Sequence, residues 1–457
     1  MTMKNKLFKP GIVLLSLCCL AVVTAAQSKK PTTNDPSVDA ATVKQLAYAD
    51  SSRLINIFID LHQHPELAFM ETRTASIIAK ELQALGYEVI PGIAKTGVAG
   101  ILRNGNGPVV MYRADMDGLP VKEATGLPYA STVVAKRDDG TEVPVMHACG
   151  HDAHISWLLG IARIMMTLKS QWKGTLVLVA QPAEEVGLGA EGMVKDKMYE
   201  RGVPVPDYLF GMHTFPFPTG YVSNIAGVRM AGIDVFDVTF YGVGGHGSAP
   251  HLAKDPVTMA AMAVVDYHSV VDRAIPPQNP HVITVGSITA GTANNIIPAS
   301  ATLKMSLRWF NQSDRTLMID GINRVNRSIA MAHDLPQNLY PTVLTKGMSY
   351  PVKNDTFMVN KINGAFEKML APGKNLTDRP AVMISEDFPF LVINSRKDPV
   401  YDYMLVGIAD PAAAEKAAKE GKEFPFYNHN PGFAVDLSAI PFGTMTGATA
   451  ILELFRK

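Results

Sequence analysis

Leu176-Val177-Leu178-Val179-Ala180 is an unbroken apolar run that empties into Gln181-Pro182-Ala183-Glu184-Glu185. Consecutive apolar residues without polar alternation predict a strand covered on both faces, as in a parallel sheet flanked by helices. Upstream lie β-type runs at 87–90, 98–102 and 109–112, and helical spacing at 41–62, at 72–85 and after His151. Such alternation predicts an α/β sandwich with a mostly parallel central sheet. Downstream the texture changes to strand (233–241), helix (256–272), two strands (282–289 and 300–310), helix (315–332) and a further strand near 339–344. That order is the pattern of a small α+β open-faced sandwich. Residues 226–340 therefore read as a domain inserted between 41–225 and 341–457, with the last helix at 437–455. Insertion through two linkers creates a cleft, a favoured place for ligands.

The 457-residue chain is 47% hydrophobic and 18% charged, which excludes intrinsic disorder as its main state. Lys plus Arg is 42 and Asp plus Glu is 42, so no basic excess favours a nucleic-acid partner. At the start, Lys4, Lys6 and Lys9 precede an apolar run over 11–22 and the mostly small Val23-Thr24-Ala25. This layout predicts a signal peptide over 1–26, followed by a polar, proline-broken leader over 27–40. The run is shorter than the roughly 20 residues needed to span a bilayer. The expectation is an exported protein, periplasmic or secreted, with no membrane association after cleavage. Cys18 and Cys19 would leave with the signal. Cys149 would then be alone in an oxidising compartment, with no intrachain disulfide available to it.

Its neighbours give that cysteine a chemical context. His147-Ala148-Cys149-Gly150-His151-Asp152-Ala153-His154 packs a thiol, three imidazoles and a carboxylate into the start of a predicted helix. Thiolate and imidazole are ligands of choice for zinc and related metals. A helix cap with incidental histidines is the plainer alternative. At the end of the decisive strand, one of the two adjacent glutamates can bind a metal while the other moves a proton. His213 ends another apolar strand, and His429 sits in a polar turn far along the chain. With Cys149, His151 and Glu185 they make five candidate ligands, enough for two divalent ions sharing a bridging group. Zinc, manganese, cobalt and nickel all suit such a donor set. Asp115 follows a strand and is placed to orient a ligand histidine.

In the inserted segment, four glycines surround His246 in Gly242-Val243-Gly244-Gly245-His246-Gly247, and a phosphate-binding fingerprint is lacking. His246 is a candidate for stabilising an oxyanion over a substrate carbonyl. Asn294 and Arg308 add an amide and a guanidinium, the latter suited to gripping a carboxylate.

The motifs HQHPELAFMETRT (62–74), YRADMDGLP (112–120), MHACGHDAH (146–154), QPAEE (181–185), GMHTFP (211–216), GGHGSAPH (244–251), NIIP (295–298), SEDFPFL (385–391) and HNPGF (429–433) occur in order. In them the chain resembles the aminoacylase and carboxypeptidase superfamily of dinuclear metallohydrolases. The resemblance is to the amidohydrolase branch of hippurate hydrolases, N-acyl-amino-acid amidohydrolases and auxin-conjugate hydrolases. It implies Cys149, His151, Glu185, His213 and His429 as metal ligands, and Glu184 as general base and then acid. It also implies that His246 lies on a lid domain and reaches the partner subunit's site in a homodimer. Arg113 stands where many superfamily members have a ligand histidine, as is usual in this branch. The segment 394–424 looks like an insertion relative to short relatives and bears on pocket shape.

The expected activity is hydrolysis of the amide in a small N-acyl amino acid. A carboxypeptidase or dipeptidase acting on short peptides is the second reading, and a metal-free binding protein that keeps only the cleft is the third.

Overall fold

The computed structural model describes residues 39–137, 139–393, 395 and 400–456. The expected signal peptide, residues 1–26, lies outside the described residues, as does the leader up to residue 38. No helix among the described residues is long and apolar enough to cross a membrane.

The larger sheet has seven strands in the order Glu88–Ile93, Gly97–Asn104, Gly174–Gln181, Val109–Asp115, Tyr208–Pro218, Val400–Ala409 and Val222–Ser223. The four consecutive strands from Gly174–Gln181 to Val400–Ala409 run parallel, and the outer pairings are antiparallel. The decisive strand is buried on both faces along almost its whole length, as its unbroken apolar run requires. Because Asp115 pairs with Gln181 in register, the carboxyl ends of neighbouring strands reach one edge together. Parallel sheets place their chemistry at that edge.

Helices His151–Thr167 and Ala439–Phe455 fill one face of this sheet, and nearly every residue of both is buried. They approach closely because Gly443 offers no side chain where Trp157 lies, and the Trp157 indole N–H donates to the Ala439 carbonyl at 3.0 Å. The expected helix at 41–62 is two helices, Ala40–Ala49 and Ser51–Gln63. They are separated at Asp50, whose carboxylate receives Arg53 at 2.6 Å.

The smaller sheet is antiparallel, in the order His281–Ala290, Ser300–Trp309, Gly232–Tyr241 and Thr342–Ser349. Strict alternation of burial along Gly232–Tyr241 marks a sheet with one covered face. Helices Pro256–Asp266 and Gln312–Ala332 cover it, and they share a separate core with Phe240, Leu303 and Trp309. The boundary expected at residue 340 falls too early, because Thr342–Ser349 pairs with Gly232–Tyr241 and keeps the chain in this sheet to Ser349. The first five residues of that strand are exposed, so burial imprints little apolar pattern there. The connections between the two sheets pair with each other, Met230 opposite Val352.

Candidate metal centre and catalytic cleft

Gly150 holds a left-handed conformation, φ 81°, at the N-cap of His151–Thr167. A Cβ there would lie 2.7 Å from the Thr214 side chain, so the position demands glycine on two counts. This turn brings Cys149 and His151 together although they are only two residues apart. The Cys149 Sγ lies 3.5 Å from Nε2 of His213. His213 Nδ1–H donates to the Thr214 carbonyl at 2.7 Å, which leaves the Nε2 lone pair facing the thiol.

On the other side, Glu185 Oε2 is 3.3 Å from His429 Nε2, and Glu185 Oε1 is 3.7 Å from His151 Nε2. The His429 amide donates to Ala148 O at 2.7 Å, tying the distant turn to the Cys149 segment. Cys149, His151 and His213 form one group of potential ligand atoms, all within 4.8 Å of one another, and Cys149, Glu185 and His429 form a second. The thiol is common to both. His151 Nε2 and Glu185 Oε1 are buried without a hydrogen-bond partner, a condition that a cation would relieve.

The electrostatics agree with that fit. Burial alone would raise the Cys149 pKa, but His213, His151 and His429 hold it well below the ordinary thiol value. Burial and the nearby Cys149 push Glu185 up to about 7. Burial, Glu386, Glu185 and Asp387 push Glu184 well above the ordinary carboxylate value. Glu184 Oε2 stands 3.9 Å from His151 Nε2, so this second carboxylate borders the cluster.

Asp115 behaves differently from expectation. It accepts from Arg113 at 2.6 Å and is hydrogen-bonded to His154 Nδ1, whereas His151 Nε2 is 3.7 Å away. His154 Nε2 in turn accepts from the Thr214 amide at 2.8 Å, so both its ring nitrogens are occupied within the fold. The carboxylate beside the remaining nitrogen of His151 is Asp117, at 3.3 Å from Nδ1. Asp117 also accepts from the Glu184 and Glu185 amides, each at 3.0 Å. Sequence reasoning passed over Asp117, although its place in YRADMDGLP two residues beyond Asp115 was a signal.

It also gave no role to Glu386 and Asp387 of SEDFPFL. Arg113, wholly buried, donates to Glu386 at 2.7 Å and Asp387 at 3.1 Å as well as to Asp115. One guanidinium thus ties together three carboxylates, of which Glu386 and Asp387 line the cleft.

The cleft, about 420 Å³, runs from Cys149, Glu184, Glu185, His213 and His429 to the smaller sheet. That sheet contributes Ile233, Val235, Met348 and Arg308. Arg308 donates to Ser385 Oγ at 2.7 Å. His246 and Asn294 do not line the cleft. Both are exposed on paired loops of the smaller sheet, where His246 stands opposite Ile296. The Ser248 amide donates to His246 Nδ1 at 3.1 Å, which puts the ring N–H on Nε2. The expected insertion forms helix Pro411–Lys419 and packs Phe424 on Phe215 and Phe217 at 5.4 and 5.8 Å. None of its described residues lines the cleft.

Residues 111–424 match the model of peptidase family M20/M25/M40. The chain belongs to that family. It is a hydrolase of the peptidase and amidohydrolase kind. Among its family relatives, the hippurate hydrolase of Campylobacter jejuni is 39% identical over 72% of this chain and 82% of its own length. Thermostable carboxypeptidase 1 of Saccharolobus solfataricus is 31% identical over 88% of this chain and 96% of its own. A solved structure described as a dinuclear metal binding peptidase of this family, from Bacillus subtilis, superposes with a TM-score of 0.70 at 26% identity. It covers 89% of this chain and 98% of that one.

Proposed function

We propose that the chain is an exported amidohydrolase that uses two divalent cations to cleave the amide bond of N-acyl amino acids. The observation that carries this reading is the convergence of Cys149, His151, Glu185, His213 and His429 in two overlapping groups of ligand atoms, with Cys149, Glu185, His213 and His429 lining one cleft beside Glu184. Cys149, His151 and His213 would hold one cation, and Cys149, Glu185 and His429 the other. When bound, the pair supplies Lewis acidity that polarises the scissile carbonyl and acidifies water.

Glu184 takes the proton from the attacking water on its carboxylate and passes it to the leaving amine. Asp117 fixes the backbone of both glutamates during that transfer. Arg308 faces the same cleft and grips the amino-acid carboxylate, while Ile233, Val235 and Met348 receive its side chain and exclude water. His246 completes the site from a second copy of the chain in a homodimer. Its exposed position outside the cleft supports that assignment.

The 31% identity to a carboxypeptidase supports the second reading, hydrolysis of short peptides. A binding-only role leaves Glu184 and five convergent ligand groups without purpose. The deciding experiment is a panel of N-acyl amino acids and unblocked dipeptides on metal-reconstituted protein. The expected result is kcat/KM at least about tenfold higher for acylated substrates, a preference worth about 1.4 kcal/mol. Preference for the dipeptides would overturn the proposal in favour of the peptidase.

A further inference from the structure

We propose that Glu71 is a positioning residue for Glu184, acting through the backbone of the turn that carries both glutamates. This rests on the reading of Glu184 as the proton carrier. Glu71 is fully buried, and it lies outside the cleft lining. Its Oε1 accepts from the amides of Ala183 and Phe69, each at 2.9 Å, and its Oε2 accepts from the Thr96 hydroxyl at 2.6 Å. Ala183 and Phe69 both hold left-handed backbone conformations, φ 52° and 61°, that residues with a Cβ rarely adopt.

One carboxylate oxygen therefore receives two strained amides, one from each side. Together with Asp117 it takes the N–H groups of residues 183, 184 and 185 in succession. Were Glu71 absent, the buried Ala183 N–H would lose its acceptor and the strained turn would relax. The direction of the Glu184 carboxylate is set by that turn. Thr96 fixes the far oxygen of Glu71 and so the orientation of the whole carboxylate.

The test compares Glu71→Ala, Glu71→Gln and Thr96→Val in metal-loaded protein, with amide hydrogen exchange at Ala183 measured in the metal-free chain. Misplacing a catalytic group by about 1 Å costs about 100-fold in rate. Glu71→Ala is accordingly expected to lower kcat about 10- to 100-fold, with KM within about threefold. Metal content should be unchanged and the Ala183 amide should lose protection. Glu71→Gln keeps an acceptor oxygen and should stay within about fivefold of the original kcat. Thr96→Val should fall between the two, and it decides the matter together with Glu71→Gln if Glu71→Ala does not fold.

Unchanged kcat in Glu71→Ala, joint loss of metal and KM, or equal damage from Gln and Ala would overturn the inference. If the unsubstituted protein turns over no N-acyl amino acid, the proposed function fails instead. Retained Ala183 protection in Glu71→Ala would then still refute the clamp.

Discussion

Glu184 combines two properties that a proton carrier needs: it borders the ligand cluster, and burial and neighbouring carboxylates raise its affinity for a proton. Glu184→Gln preserves shape and leaves all five ligand groups in place. Its kcat should fall by about 10²- to 10⁴-fold, the usual worth of general acid–base catalysis, while metal content stays constant. Near-normal turnover would remove Glu184 from that role.

A second residue, His62, governs stability rather than chemistry. Burial alone would lower its pKa, but hydrogen bonds to Asp152 at 2.6 Å and Glu123 at 3.3 Å raise it to about 9. A histidine raised in the folded state contributes stability fully below about pH 6.5, and loses it as pH rises through about 9. The shift corresponds to about 3 kcal/mol. Denaturant unfolding of metal-free protein at pH 6.5 and pH 10 should show a steeper loss for the original chain than for His62→Gln. Equal losses would show that the imidazolium contributes nothing.

Between elements, packing overrules local propensity. Gly443 lies inside helix Ala439–Phe455, where replacing glycine by alanine normally gains about 1 kcal/mol. Here the added Cβ would meet Trp157 Cε2 at 2.2 Å, and Trp157 is wholly buried with its indole N–H committed to Ala439. Overpacking of this kind costs about 1–3 kcal/mol or more, so Gly443→Ala should lower the melting temperature. A rise would mean that the helices separate freely.

The same contrast governs what could be read in advance. The strand at 174–181 was legible because burial on both faces imposes an unbroken apolar run, and the convergence of Cys149, His151, Glu185, His213 and His429 was legible because few side-chain types suit a metal. A strand near 339–344 was legible as part of the smaller sheet, but the boundary at 340 cut it off, and the observed strand runs on to Ser349. The helix at 41–62 hid its break because no proline or glycine marks it, and Asp50-Ser51-Ser52 also suits an exposed helical face. Asp117 acts by accepting from amides 67 and 68 residues away, and no local pattern encodes such a partner. The preference of Asp115 for His154 over His151 is likewise a matter of angle and distance, invisible in a motif that holds both histidines.

At the scale of the whole molecule, the cleft is built from both sheets, yet His246 stands outside it on an exposed loop of the smaller one. Ser248 donates its amide to Nδ1 of that exposed imidazole, which puts the ring N–H on Nε2. A donor presented to solvent can serve an oxyanion only when a cleft comes to it, and in a closed dimer the partner's cleft is the candidate. Two inactive variants can test this, since Glu184→Gln spoils the cleft and His246→Ala spoils the lid. In a mixed dimer, the subunit with intact Glu184 would receive intact His246 from its partner, so one of the two sites would be whole. Random mixing makes about half of all dimers mixed, so co-refolded equal amounts should recover about a quarter of the original kcat. Each variant alone should stay near its own low rate. If mixed dimers form, as shown by differently tagged subunits, and no activity returns, His246 does not act across subunits. If His246→Ala alone keeps full turnover, it plays no part in the reaction at all.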